Sequence, residues 1–228
     1  MHSVSDFKKL IKILLSKNLK PTTNWKNYVT PNTLLLRHDI DFDIDYAHKL
    51  ATVEKTLGVR STYFFMLSSN MYNLFSRRNQ LLIKDIIKMG HKISIHYDPT
   101  SYKNINSFFK ERKIFEELFN INLDIVSIHR PGKFLKNNNR KLNGLSHTYQ
   151  DKYFKDMNYL SDSGGKDIFP LILNYFKNPS RKGLHLLIHP IWWIKRGKSP
   201  TEILNRWKEK NSFFIKNEIR ANCKTYSD

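Results

Sequence analysis

Cysteine is almost absent: among 228 residues only Cys223 carries a thiol. One cysteine excludes an internal disulfide framework and a thiolate zinc cluster, and it points to a reducing, cytoplasmic setting. Long apolar runs are missing as well, and none approaches the roughly 18 residues of a membrane span. The opening "MHSVSDFKKLIKILLSKNLKP" is broken by Lys8, Lys9 and Lys12 and is followed by no small-residue cleavage site, unlike a secretion signal. Its Phe7, Leu10, Ile11 and Leu14 fall on one helical face, with Ser3 or Ser5 as N-cap, so we expect an amphipathic helix over about 3–17.

Acidic residues are also scarce, 20 against 39 Lys and Arg, a formal net charge of +19. Such a balance raises nucleic-acid binding first. Yet the lysines are spread along the chain among asparagines, with no dense basic block, zinc-finger spacing or aromatic-glycine RNA motif. A specific nucleic-acid partner would rest on charge alone. A solvated lysine-rich surface is the plain reading, and attraction to an anionic membrane surface or a phosphate-bearing substrate is the functional one. The expected place is therefore the cytoplasm, with a peripheral position at the inner membrane face.

What is present is a globular composition, 40% hydrophobic and 13% aromatic, in a repeating order of short β-rich runs and longer helical ones. "TLLLR" (33–37) reads as a strand, 43–58 as a helix capped by Asp43 and stopped by Gly58, and 61–67 as a strand. A helix over 79–90, a strand over 91–95, a helix over 105–119 and a strand over 124–128 follow. The polar stretch 133–151 reads as a loop long enough to be functional or mobile. Strand ends recur at 159–165 and 184–190, and 199–219 reads as a closing helix. Repeated βα alternation without a linker implies one domain over 1–228, a parallel sheet or barrel with helices outside.

The strand ends carry the chemistry. Asp39 and Asp41 follow the first strand, His96 the third, His129 and Arg130 the fourth, Asp162 the "YLS" run and His189 the "LHLLI" run. In α/β barrels the C-terminal rim gathers residues from distant sequence into one site. Carboxylates and imidazoles gathered there suit metal-assisted hydrolysis: a divalent ion acidifies water and polarises a carbonyl, a carboxylate accepts a proton, and a histidine protonates the leaving amine. Plainer roles exist for several of them. Asp39 and Asp41 could cap the next helix, although Asp43 and Asp45 serve that better; Asp162 could be a turn residue; Trp192 and Trp193 could be core. His38 alternates away from the side Asp39 faces, and His2, His48, His147 and His185 read as structural or surface.

In order and approximate spacing, "LLLRHDID", "GHKISIHYD", "HRPG", "YLSDSGG" and "LLIHPIWW" resemble the five motifs of the polysaccharide deacetylase family, carbohydrate esterase family 4. The chain looks most like the small deacetylase-like branch found with surface-polysaccharide biosynthesis, whose first motif is arginine-histidine-aspartate. The likeness covers about residues 33–195. It implies a distorted (β/α) barrel of about seven strands and removal of an N-acyl group, acetyl first, from an amino sugar that is nucleotide-linked, lipid-linked or part of an oligosaccharide. It also implies Asp39 as general base, Asp41 and His96 as ligands of a divalent metal, zinc first, Arg130 as the arginine holding the base, and Asp162 orienting His189, the general acid. Trp192 and Trp193 would offer a sugar-stacking face.

One ligand departs from the family pattern. Thr100 stands where a second histidine belongs. A zinc site takes about three protein ligands, and His129 is the replacement the sequence offers, with Asp98 behind it. The same departure motivates the competing reading, a catalytically degenerate barrel that binds a glycan or scaffolds a biosynthetic complex.

Overall fold

The computed structural model describes residues 2–26, 30–102, 107–132, 139–178 and 182–227. Its organising strand is β2 (Thr33–Ile40), all eight residues of which are buried. A strand covered on both faces belongs in a parallel sheet sheathed by helices. Around it run α1 (Val4–Ser16), β1 (Lys20–Pro21), α2 (Ile44–Thr56), β3 (Thr62–Phe65), α3 (Arg77–Lys88), β4 (Lys92–Tyr97), α4 (Phe108–Phe119) and β5 (Ile125–Ile128). The second half adds β6 (Ser146–His147), α5 (Asp151–Phe154), β7 (Asn158–Ser161), α6 (Phe169–Lys177), β8 (Leu184–Ile188), α7 (Ile191–Ile194) and α8 (Pro200–Asn222).

Seven strands lie in the order β6-β5-β4-β3-β2-β8-β7, with the short β1 beside β2. Every strand pairing is parallel. The two edges of the sheet curl toward each other: Tyr149, just past β6, and Tyr159 on β7 have ring centroids 6.3 Å apart. The result is the expected distorted (β/α) barrel, open along the β6–β7 seam.

Local chemistry sets the helix starts. Ser3 and Asp6 close a reciprocal capping box on α1, Asp43 caps α2, and Ser76 caps α3. The stretch 133–151 is not all loop. It includes β6 and a Leu142–Leu145 bridge, while 133–138 lie outside the described residues.

Strand alternation sorts side chains into an inside and an outside. Inside, Trp25, Leu35, Phe64, Ile125, Tyr153 and Met157 plug the barrel. The Trp25 indole N–H donates to Thr62 at 2.9 Å, so even the plug's polar atom is satisfied. Outside, Ile93, Ile95, Val126 and Ile128 meet α3 and α4 residues such as Ile83, Ile86 and Phe115. Leu34, Leu36, Leu184 and Leu186 meet α1, whose Phe7, Leu10, Ile11 and Leu14 are buried. Above the plug, on the same inner face and toward the C-terminal strand ends, the column turns polar.

Candidate active site

The polar column begins with Arg37. It sits two residues before Asp39 on β2, so both point inward, and its guanidinium grips the carboxylate with Nε–Oδ1 at 2.8 Å and Nη2–Oδ2 at 2.6 Å. Both residues are buried. Arg37 also donates to Ser127 at 3.0 Å and to the Tyr149 hydroxyl at 3.3 Å. Burial works against the Asp39 charge, but Arg37, with His96 and His189 beyond it, holds the carboxyl below its usual range. Asp39 therefore stays ionised through neutral pH as a fixed acceptor.

Arg130 does not have the place expected of it. Among the described residues, Asp39's partners are Arg37 and Ser127. The reason is reach: a side chain on the same strand, same face, two residues away presents its fork to both oxygens, whereas Arg130 lies past the end of β5 in a left-handed backbone (φ 46°). The alternation in "RHD" was the signal that could have found Arg37.

Ser127 fixes the next residue. Its hydroxyl donates to Asp39 Oδ1 at 3.2 Å, so it must accept from His96 Nδ1, its neighbour at 2.5 Å. Nδ1 is thus the donor to Ser127, and Nε2 is the ring nitrogen turned to the mouth, the one a metal would take from the neutral imidazole. That Nε2 faces His129 Nδ1 at 3.0 Å and Asp41 Oδ1 at 3.2 Å, and the last two are 3.5 Å apart. These three side chains form a group able to hold one metal ion.

The donor set fits a divalent metal on two grounds. Among the described residues Asp41 Oδ1 is buried with no hydrogen-bond partner, an arrangement that calls for a cation. Separations of 3.0–3.5 Å are those of ligands bonded to one ion at about 2.0–2.2 Å. Burial disfavours Asp41's charge, but His129, His96 and His189 outweigh it and hold the carboxyl well below its usual range. Thr100, at the missing histidine's position, is turned away: its N–H and hydroxyl both donate to Asp98 Oδ1, at 2.8 and 2.7 Å. Asp98 is thereby occupied and stands outside the ligand group.

Across the mouth, His189 Nε2 lies 3.8 Å from Asp41 Oδ2. Its Nδ1 meets Asp162 Oδ1 at 2.6 Å, and its backbone N–H also donates to that carboxylate. Burial opposes the imidazolium, but Asp162, with Asp41 and Asp39 behind it, pushes its pKa up to about 9. At neutral pH His189 is therefore protonated and able to act as an acid. A cavity of about 10 Å³ is lined by Asp39, Asp41 and His189, room for about one water. Roomier hollows of 310 and 530 Å³ lie beside α1, away from these groups.

The two tryptophans are not a sugar platform. Trp192 is 6% and Trp193 1% exposed, both within the core beneath α1. The short α7 turns its rings inward, where Trp193 Nε1 donates to Asp162 Oδ2 at 2.8 Å and its indole stacks on His2 at 4.2 Å. Trp193 is thus a support for the Asp162–His189 pair. The aromatic group next to the polar column is another one, Tyr149, Phe154 and Tyr159 at the seam.

No family model matches, and no curated protein matches. Twelve solved chains do. They include a family 4 pseudoenzyme from Bacillus anthracis, 15% identical over 85% of this chain and 66% of that one, TM-score 0.46. Peptidoglycan deacetylase PdaC from Bacillus subtilis matches at 13% identity over 85% and 99%, TM-score 0.43. A family 4 acetyl xylan esterase from Clostridium thermocellum, in complex with cobalt, matches at 12% over 78% and 84%, TM-score 0.45. These likenesses fall in carbohydrate esterase family 4. At such identities the site's meaning rests on its own geometry.

Proposed function

We propose that the chain is a metal-dependent hydrolase that removes an N-acyl group, acetyl first, from an amino sugar of a surface-polysaccharide precursor. One observation carries the reading: His96 Nε2, His129 Nδ1 and Asp41 Oδ1 converge on one point, flanked by an ionised acceptor and a protonated imidazole. Asp41, His96 and His129 would hold the ion, zinc by their nitrogen-oxygen donor set. Bound there, a divalent ion supplies Lewis acidity toward an acyl carbonyl and toward water.

The chain's own residues supply the rest. Asp39, pinned by Arg37 and Ser127, accepts the proton released as water adds to the amide carbon. His189 Nε2 donates a proton to the amide nitrogen as the C–N bond breaks, so that carboxylic acid and amine leave. Asp162 keeps that imidazole charged and aimed, and Trp193 keeps Asp162 aimed. Arg37 has a cost: it weakens Asp39 as a base while fixing its position.

The test measures bound metal and acetate release together. Dialysed against trace zinc, the wild-type chain should retain about one ion, lost in His96→Ala and reduced in His129→Ala. The metal-loaded protein should release acetate from N-acetylated amino-sugar donors, and folded Asp39→Asn should not. Absence of bound metal in the wild type, or undiminished turnover in Asp39→Asn, refutes the assignment. The second reading, a glycan-binding barrel without turnover, is favoured by Thr100's engagement with Asp98 and by the Arg37 clamp; metal retained with no release from any donor would support it.

A further inference from the structure

The helix α8 is 23 residues long, yet only Ile203 in it is buried. Its first half docks at the rim of the site. The Trp207 indole meets Phe42 edge-on at 5.4 Å, and Lys210 Nζ donates to Asp43 Oδ2 at 2.9 Å while lying over the Tyr46 ring. Past Asn211 the helix has an exposed apolar surface: Phe213 is 65%, Phe214 56%, Ile215 56% and Ile219 39% exposed. Isolated helical segments this short are marginal in water, and scattered single apolar residues need no explanation whereas a contiguous group does.

We propose that the second half of α8 seats on an anionic lipid surface and holds the mouth of the site against the headgroup layer. The occupant follows from charge and shape. A net charge of +19 repels a second copy but is drawn to acidic phospholipid, each nearby Lys or Arg adding about 1 kcal/mol. From Lys208 to Lys224 the segment carries Lys208, Lys210, Lys216, Arg220 and Lys224 against Glu209 and Glu218, a basic excess in the manner of helices that lie in the interfacial plane with basic stems reaching back to headgroups, Glu218 being the one acidic side chain within the apolar arc. Phe213, Phe214 and Ile215 are consecutive, so at 100° per residue they cover about 200° of the helix. That arc is broader than the seam a partner helix covers, and a fluid boundary accommodates it. Among the described residues no helix is long and apolar enough to cross a membrane, so the segment lies on the bilayer.

Because Lys210 is tied to Asp43, two residues beyond the ligand Asp41, the seated helix brings lipid within reach of the reacting groups. If the deacylase reading holds, on which this clause rests, the favoured donor is a lipid-linked amino sugar over a nucleotide-linked one.

The experiment is vesicle sedimentation of the full chain with 7:3 phosphatidylcholine:phosphatidylglycerol and with pure phosphatidylcholine, comparing wild type with a Phe213→Ser/Phe214→Ser/Ile215→Ser variant. We expect binding to the acidic vesicles only, weakened by salt, and a loss of about tenfold or more in the variant. The substituted side chains are exposed, and an unchanged thermal melt would show the fold intact. Equal binding by both proteins would overturn the proposal, because charge elsewhere would then suffice. No binding by wild type, or a wild-type dimer that the variant dissolves, would also overturn it. Sedimentation needs no turnover, so a protein that binds vesicles but hydrolyses nothing would refute the deacylase reading and leave this one standing.

Discussion

His38 and Asp39 are neighbours on one strand, both buried, and they enter two different kinds of polar cluster. Outside the barrel, His38 Nε2 meets Glu54 Oε1 at 2.7 Å, and Glu54 Oε2 accepts from Ser61 and from Tyr63, at 2.5 and 2.7 Å. His91 completes the knot through Ser61 and the Ala51 carbonyl. Among the described residues only His38 Nδ1 lacks a partner there. Burial opposes Glu54's charge, but His38, His91 and Ser61 hold its carboxyl below the usual range. Inside the barrel, Arg37, Asp39 and Ser127 are comparably bonded, with Arg37 Nη1 the one unpartnered atom among them, but the next layer crowds Asp41 Oδ1, His96 Nε2 and His129 Nδ1 within 3.5 Å of one another, and among the described residues the carboxylate oxygen has no hydrogen-bond donor. Burying polar groups is expensive in both places. A cluster that satisfies itself spends that cost on holding α2 to the sheet, and one that leaves donors unused at a mouth is ready for a ligand.

The comparison can be broken most severely by emptying each cluster in turn. Replacing His189 with Gln should lower acetate release by about 10²–10⁴-fold with a smaller change in a urea melt than the Glu54 variant below, since an amide can still donate to the buried Asp162. Glu54→Ala should do the reverse. It strands His38, Ser61 and Tyr63 inside the protein and should cost about 3–5 kcal/mol in urea unfolding, while zinc uptake by the fraction still folded stays at one ion per chain. If Glu54→Ala lost metal without losing stability, the two clusters would not be separable in the way their hydrogen bonds indicate.

A pH series sharpens the contrast through His185, inside the barrel on the plug side. Burial, aided by Arg37's charge, lowers its pKa from 6.5 to about 3. Between those values the unfolded chain takes up a proton that the folded chain refuses, so stability falls as pH falls from 6.5 toward 3. At pH 5 the loss from this group is about 2 kcal/mol, and in His185→Gln that increment should vanish from unfolding curves run at pH 7 and pH 5. The smallest effect expected is that of Trp193→Phe. It removes one of the donors to Asp162, worth about 1 kcal/mol, so turnover should drop by tenfold or less and zinc content should not move.

Much of this was legible in the residues. The alternation of β2 placed His38 and Asp39 on opposite faces, and Ser3 and Asp43 announced two helix starts. The ordered motifs located Asp41, His96, His129, Asp162 and His189 at strand ends, where the fold brings them together. The misses share a cause. Arg130 and Arg37 are equally plausible holders of Asp39 when only spacing along the chain is known, because which guanidinium reaches depends on the inner face and on the path after β5. Trp192 and Trp193 follow His189 directly, but a four-residue helix turns both rings into the core. Ile168, Ile172 and Tyr175 lie at helical spacing and were a signal that could have found α6, whereas the two residues of β1 are too few to leave a pattern.

By itself the sequence determined the barrel and the cast of its rim, because both follow from local rules: strand period, helix caps, and chemistry-bearing residues placed at the ends of apolar runs. Only the tertiary structure decided the partnerships. Whether a buried carboxylate is clamped by its own strand, whether a histidine's free nitrogen faces a carboxylate or a serine, and whether an aromatic ring meets water or core depend on groups tens of residues apart. Those contacts exist only once the sheet has curled.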